Sequence, residues 1–449
     1  MTKIAFAGFG EVNTPVDIII NKCKAASESL ACEGIEVISH FPITDDYAEK
    51  DVNGAIDFFK GKDFDALVLC VAGWIPTHAV IKVAEQFRDK PMVLWGLCGW
   101  IESDGRLVTT ADQAGTSALR KTMKDLGYTF KYVYDIIGKP SRVDTVLTYC
   151  KAASAYKAMR SAKIGQMGFR DMHLYGTMFD GCSLKKTVGP EIECFEMLEV
   201  VQRAEKVTDA AIDEVVNTTV KSWKFLKEAD MSIVRRGVSY YLAIKEIIDE
   251  RGYKAISLKD VDGMKKLLGF PPAMIFMLLA DREGIPTIPE NDCLGNVTQA
   301  IVNALTGQIG AYLEFYEFFE EGVLAGVPDY VPAEIVDGQV TVSPEAFGLL
   351  SQGVLNVSKV KTGTVTMCRL ACEDGKYTMH MVVGDGTTPP KWEEAGWAQP
   401  APQLPALKVL LAYTEDFTDK VMGQHYIISY GDNSKVITEF CKIAGIEII

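Results

Sequence analysis

Lys3-Ile4-Ala5-Phe6-Ala7-Gly8-Phe9-Gly10-Glu11 opens the chain with a continuous apolar run that stops at a glycine turn. Four more short runs rich in β-forming residues follow, at Ile35–Phe41, Ala66–Gly73, Pro91–Leu97 and Thr129–Asp135. Longer, more polar segments with helical spacing separate them. Strands that are apolar on both faces and joined by helical crossovers predict a parallel, doubly wound sheet. Ligands of such sheets bind beyond the carboxyl ends of the strands. Here those ends carry Gly8–Glu11, Ala72–Trp74 and Leu97–Trp100.

A second α/β unit is expected from Lys163, with strands at Lys163–Phe169 and Lys254–Leu258. Ile212, Val216, Val220, Trp223 and Leu226 repeat at helical spacing, as do Val234, Val238, Tyr241, Leu242 and Ile248. A helical pattern at Val297–Leu305 follows Pro289-Glu290-Asn291-Asp292 and stops at Gly307. From about residue 325 the pattern changes to short runs rich in Val, Thr and Tyr, bounded by turn clusters. These are Val340–Val342, Val354–Val360, Thr364–Leu370, Lys376–Val383, Lys408–Ala412 and His425–Ser429, and they predict an antiparallel sheet or barrel. A loop at Pro400–Pro405 and a helix at Ser434–Ala444 complete the reading. The expected domains are 1–162, 163–324 and 325–449.

The 449 residues suffice for two to four buried cores at roughly 100–200 residues per domain. Hydrophobic residues make up 48% and charged residues 24%, which excludes disordered, collagenous and coiled-coil chains. A net charge of −14 argues against nucleic acid or an anionic membrane as partner. No apolar stretch of about 18 residues is present to span a bilayer. The 11 cysteines are odd in number and have no zinc-site spacing, so free thiols and a cytoplasmic location are expected.

Catalytic motifs are sparse. Gly8-x-Gly10 lacks the third glycine of a dinucleotide fingerprint, and a tight strand-to-helix turn explains it. There is no P-loop, no G-x-S-x-G elbow and no H-E-x-x-H. Each of the 5 histidines, taken alone, reads as an ordinary core or surface residue. The carboxylates say more. Glu290 follows an apolar, proline-bounded run, and Glu314 and Glu317 sit among aromatics. An exposed helix-end charge is the plain alternative for Glu314. Two carboxylates with one imidazole would make a site for Mn²⁺ or Mg²⁺.

Several segments, in order, resemble the L-fucose isomerase/L-arabinose isomerase superfamily. The run Ile164-Gly165-Gln166-Met167-Gly168-Phe169-Arg170-Asp171-Met172-His173-Leu174-Tyr175-Gly176 resembles the opening of its second domain. Glu290-Asn291-Asp292 followed by Leu305-Thr306-Gly307 resembles its "C-E-x-D … L-T-G" region. Gly423-Gln424-His425-Tyr426 resembles the segment whose histidine completes the metal site. The resemblance covers nearly the whole chain, and only the ordered set is specific.

The resemblance implies two doubly wound α/β domains, a C-terminal β-barrel domain and a trimer or hexamer. It implies an aldose–ketose isomerase whose Mn²⁺ (or Mg²⁺ or Co²⁺) is held by Glu290, Glu314 and His425. The two glutamates would also be the catalytic acid and base. Glu314 stands where fucose-type members carry Asp. Gln424, a candidate substrate contact, stands where the family often has Asn or His. Where relatives often carry a further histidine, this chain has Gly326-Val327-Pro328-Asp329.

Arg170 is a candidate for substrate oxygens, against an ordinary salt bridge. Trp74 and Trp100 are candidates for stacking on a sugar, Trp74 from a neighbouring subunit, against ordinary rim packing. The expected substrate is a free monosaccharide, with a deoxy or 6-sulfonated hexose open because Arg170, Lys185 and Lys186 could meet an anion. The alternatives are a non-catalytic sugar-binding protein on the same scaffold and a nucleotide-dependent oxidoreductase, which the missing phosphate turn disfavours.

Overall fold

The five apolar runs at the start of the chain are all strands in the computed structural model. They are β1 (Thr2–Phe9), β2 (Ile35–Ile43), β3 (Ala66–Val71), β4 (Met92–Gly96) and β5 (Phe130–Tyr134). They form one parallel sheet in the order β2-β1-β3-β4-β5. The glycines at the end of β1 serve packing. A Cβ on Gly8 would lie 2.5 Å from Cys23 Sγ, and one on Gly10 would lie 2.6 Å from Ile19 Cδ1, because the Val16–Leu30 helix presses on this strand end. The described residues are 1–327, 329–344, 352–391 and 405–449. They fall into two units, Met1–Lys157 and Ala158–Ile449.

The second unit holds two large sheets and a small third one. Its parallel sheet comprises β6 (Lys163–Met167), β7 (Glu191–Phe195), β8 (Ala255–Leu258) and β9 (Thr287–Ile288), in the order β9-β8-β6-β7. The Met231–Arg251 helix buries Val234, Val238, Tyr241 and Ile248, as its spacing predicts, while Leu242 is half-buried and Ile244 takes its place on the buried stripe. The Cys293–Thr306 helix starts at Asp292, whose side chain accepts the Gly295 N–H.

The other large sheet is a closed six-stranded antiparallel barrel. Its strands are β10 (Ala311–Phe319), β11 (Gly322–Gly326), β12 (Gly363–Glu373), β13 (Lys376–Thr387), β14 (Ala406–Leu410) and β15 (His425–Tyr430). They run β12-β15-β10-β11-β14-β13, and β13 pairs back onto β12. The short strand β16 (Glu447–Ile448), after the Ser434–Ala444 helix, adds to β13 in parallel.

Three readings differ from expectation. The barrel starts at Ala311, ahead of residue 325, and Glu314 lies on its first strand. The aromatic run Phe315–Phe319 masks the alternation expected of a half-buried strand. The runs around Val340–Val342 and Val354–Val360 stay outside the barrel: Thr341–Ser343 and Leu355–Asn356 form a small separate sheet with Lys224–Phe225. The helical spacing through Leu226 also overshoots. The helix ends at Thr218, a 3₁₀ turn follows at Val220–Ser222, and the chain turns extended to join that small sheet. Of the loop at 400–405, only Pro405 lies among the described residues. Among these residues no single helix is long and apolar enough to cross a membrane.

At Gly322, at the β10–β11 turn, a Cβ would lie 2.0 Å from the Val409 carbonyl oxygen. Gly322→Ala should therefore destabilise the protein by roughly 1–3 kcal/mol, read as a lower urea midpoint.

Candidate active site

Three neighbouring strands of the second parallel sheet end where the site begins. Strand β6 leads into Gly168–Arg170, β8 into Asp260, and β9 into Glu290. The backbone of Glu290 is left-handed (φ 64°), and so is that of Asn291 (φ 52°). Such conformations are uncommon outside glycine and concentrate at functional sites. Hydrogen bonds hold the pair. The Glu290 N–H donates to Asp260 Oδ1 at 2.8 Å, and Asn291 Nδ2 donates to the carbonyls of Met167 and Phe169 at 2.8 and 2.5 Å.

The barrel supplies the rest. Glu314 on β10 lies directly opposite His425 on β15, so the two side chains share a face. Tyr312, two residues before Glu314, is on that face too. Its ring stacks on the His425 imidazole, with centroids 4.1 Å apart and planes 11° apart. His425 Nδ1 lies 3.9 Å from Glu290 Oε2, and Nε2 lies 3.7 Å from Glu314 Oε2. Gln424 Nε2 donates to Glu290 Oε2 at 3.4 Å. A cleft of about 90 Å³ opens here between Thr177, Glu290, Tyr312 and the Met422–His425 segment.

Burial holds the His425 ring down to about 3, and Arg369 acts the same way against Asp292 and Asp260. The imidazole is therefore neutral at physiological pH, the form that binds a cation. Burial pushes the Glu290 carboxyl well above the ordinary range, and the carboxylates of Asp260, Asp329, Glu314 and Asp292 add to the effect. Among the described residues no three His, Cys, Asp or Glu side chains are drawn tightly enough to enclose a metal ion as they stand. Glu290 and Glu314 face opposite nitrogens of one ring. The donor chemistry itself suits a hard or borderline divalent cation: two carboxylates, a neutral imidazole and excess negative charge around Glu290.

A buried ion pair underlies the site. Arg369 on β12 grips Asp292 through both terminal nitrogens, with Nη2 2.9 Å from Oδ1. Asp292 Oδ2 also accepts the Tyr312 hydroxyl at 2.8 Å, and Arg369 Nη1 reaches the His425 carbonyl at 3.4 Å. Burial raises the Asp292 carboxyl, but Arg369, the Gly295 N–H and the Tyr312 hydroxyl outweigh it and hold it below its usual range. Asp260, Asp292, Tyr312 and Arg369 were not singled out from sequence. Asp292 had a usable signal in its capping position, and Tyr312 in its two-residue spacing from Glu314.

Arg170 and Lys185 make other contacts. Arg170 donates to the His173 carbonyl and rests 4.3 Å over the Tyr175 ring, and it does not line the cleft. Lys185 pairs with Glu191 at 3.5 Å. Trp74 and Trp100 belong to the other unit. Trp74 is 39% exposed, and the Trp100 indole donates to Glu102 at 2.8 Å. Val327 is buried in the barrel core.

Two parallel α/β sheets and a closed barrel, with a carboxylate–imidazole centre facing a cleft, define the scaffold. No family model matches the chain. It is 22% identical over 340 residues to an L-arabinose isomerase of Oceanobacillus iheyensis, covering 71% of this chain and 69% of that one. It is 21% identical over 332 residues to L-arabinose isomerase 2 of Bacillus licheniformis, covering 69% and 67%. An L-arabinose isomerase of Clavibacter sepedonicus matches at 22% over 151 residues, 32% of this chain and 30% of that one. These relatives agree with the resemblance to the L-fucose isomerase/L-arabinose isomerase superfamily.

Two predictions follow from the buried groups. Arg369→Met leaves Asp292 as an unpaired buried charge and should cost about 3–5 kcal/mol in urea unfolding. Asp292→Asn/Arg369→Met should recover most of that loss, giving a large coupling in the double-mutant cycle. The second concerns His380, whose Nδ1 lies 2.6 Å from the Tyr426 hydroxyl, which also accepts the Met422 N–H at 3.0 Å. Burial, then Lys420, lowers this ring from 6.5 to about 4, against Asp416. It therefore takes up a proton on unfolding, and its contribution to stability is lost as pH falls from 6.5 to about 4. His380→Asn should remove about one proton from the pH dependence of unfolding in that window.

Proposed function

We propose that the protein is a divalent-metal-dependent aldose–ketose isomerase acting on an open-chain monosaccharide through an ene-diol. The enzyme class, an intramolecular oxidoreductase, follows from its L-arabinose isomerase relatives. The observation that supports the site assignment is that Glu290 and His425 line one cleft and that Glu314 stands opposite His425 in the barrel register.

Glu290, Glu314 and His425 would hold the ion, with Mn²⁺ the first choice and Mg²⁺ or Co²⁺ the alternatives. Bound there, it would polarise the sugar's carbonyl and adjacent hydroxyl oxygens and stabilise the enediolate. The two glutamates also do the proton work. One carboxylate takes the proton from the carbon beside the carbonyl, and a proton is returned to the neighbouring carbon. The hydroxyl proton passes between the two oxygens, so no net oxidation occurs. The high proton affinity of Glu290 suits a group that must both accept and give back a proton. Tyr312 holds the His425 ring plane, and Gln424, beside Glu290, is placed to meet a substrate hydroxyl.

Trp74 would stack on the sugar from the first unit of a neighbouring subunit in a cytoplasmic trimer or hexamer, and Trp100 is a second stacking candidate. Arg170 is a weaker candidate, since its guanidinium is engaged with His173 and Tyr175. The substrate panel therefore spans neutral sugars and a 6-sulfonated one.

The test is metal content by atomic spectroscopy, together with isomerisation of L-arabinose, L-fucose, D-arabinose, D-galactose and 6-sulfoquinovose. Wild type should hold a divalent ion and convert a neutral sugar. Glu290→Gln and Glu314→Gln should lower kcat about 10²–10⁴-fold, and Glu290→Gln and His425→Ala should lose the ion. A wild type that binds no added Mn²⁺ would overturn the metal mechanism and favour a non-catalytic sugar-binding protein.

A further inference from the structure

Behind Glu290 lies a second charged group that the isomerase chemistry does not use. Asp260 accepts the Glu290 N–H through Oδ1, while its Oδ2 lies 3.1 Å from Lys265 Nζ. The same ammonium is 3.5 Å from Asp329 Oδ1. The side chains are 11% exposed for Lys265, 1% for Asp260 and 6% for Asp329. Asp260 and Lys265 begin and end one wide turn, Asp260–Lys265, of the π type that recurs at functional sites. Its first N–H groups, on Val261 and Asp262, donate to Asp171 at 2.9 and 2.7 Å.

We infer that Lys265, acting through Asp260, is a positioning residue that holds the Glu290 backbone left-handed and so aims its carboxylate at His425. The inference rests on the isomerase reading of Glu290 given above. The geometry explains two things at once. A carboxylate aligned by an ion pair gives a fixed acceptor for the Glu290 amide, so the strained backbone has one stable arrangement. Lys265 also occupies Asp260 and Asp329, two buried carboxylates that would otherwise compete for the cation. Glu290, on the same side of the cleft, is left to meet it.

The experiment compares wild type with Lys265→Gln and Lys265→Arg by two readouts. Hydrogen–deuterium exchange with mass spectrometry follows the peptide covering residues 286–293. Steady-state kinetics at saturating Mn²⁺ follow kcat and KM separately. Lys265→Gln should speed exchange of that peptide about tenfold, leave peptides from residues 1–140 unchanged, and lower kcat about 10²-fold at near-constant KM. Lys265→Arg keeps the charge and should restore most of both. Should Lys265→Gln not fold, the charge-balanced Lys265→Met/Asp329→Asn variant carries the same expectations. Unchanged exchange in the 286–293 peptide, or a kcat loss that Lys265→Arg does not reverse, overturns the inference. A wild type inactive on every sugar overturns the isomerase reading instead, and the exchange result then decides the role of Lys265.

Discussion

The site depends on the buried pair of Asp292 and Arg369. Two charges taken out of water are tolerable only when each finds a full set of partners. Asp292 accepts from Arg369, Tyr312 and the Gly295 amide, and Arg369 also reaches the His425 carbonyl. Those partners lie on one helix N-terminus and three barrel strands. The pair therefore sets where the helix meets the barrel, and it orients the tyrosine against which the histidine stacks.

Charge is divided unevenly around the cleft, and the division matters for chemistry. Asp292 is committed to Arg369, and Asp260 and Asp329 flank Lys265. Glu290 and Glu314 instead face an imidazole that burial keeps neutral. Carboxylates crowded in this way repel one another, and a divalent cation relieves that repulsion. The left-handed backbone at Glu290 and Asn291 adds a second form of stored strain at the same place. Both raise the free energy of the folded protein at that place.

Much of the architecture was legible in the residues alone. Continuous apolar runs separated by helical spacing marked the first parallel sheet, because strands buried on both faces cannot alternate. Turn clusters after residue 360 marked the later barrel strands for the same local reason. The ordered segments around Glu290, Leu305–Gly307 and His425 pointed to the superfamily and to the residues now facing the cleft. Strand β10 was not legible, since its aromatic run Phe315–Phe319 hides a period of two. The partnership of Glu314 with His425 was hidden with it, for it exists only through the register of β10 against β15. Asp292 with Arg369, and Asp260 with Lys265 and Asp329, were equally out of reach as working groups. Residue types and local periodicity depend on near neighbours in the chain. Which buried charge finds which partner depends on strand register and sheet order, and these are settled only when the whole fold closes.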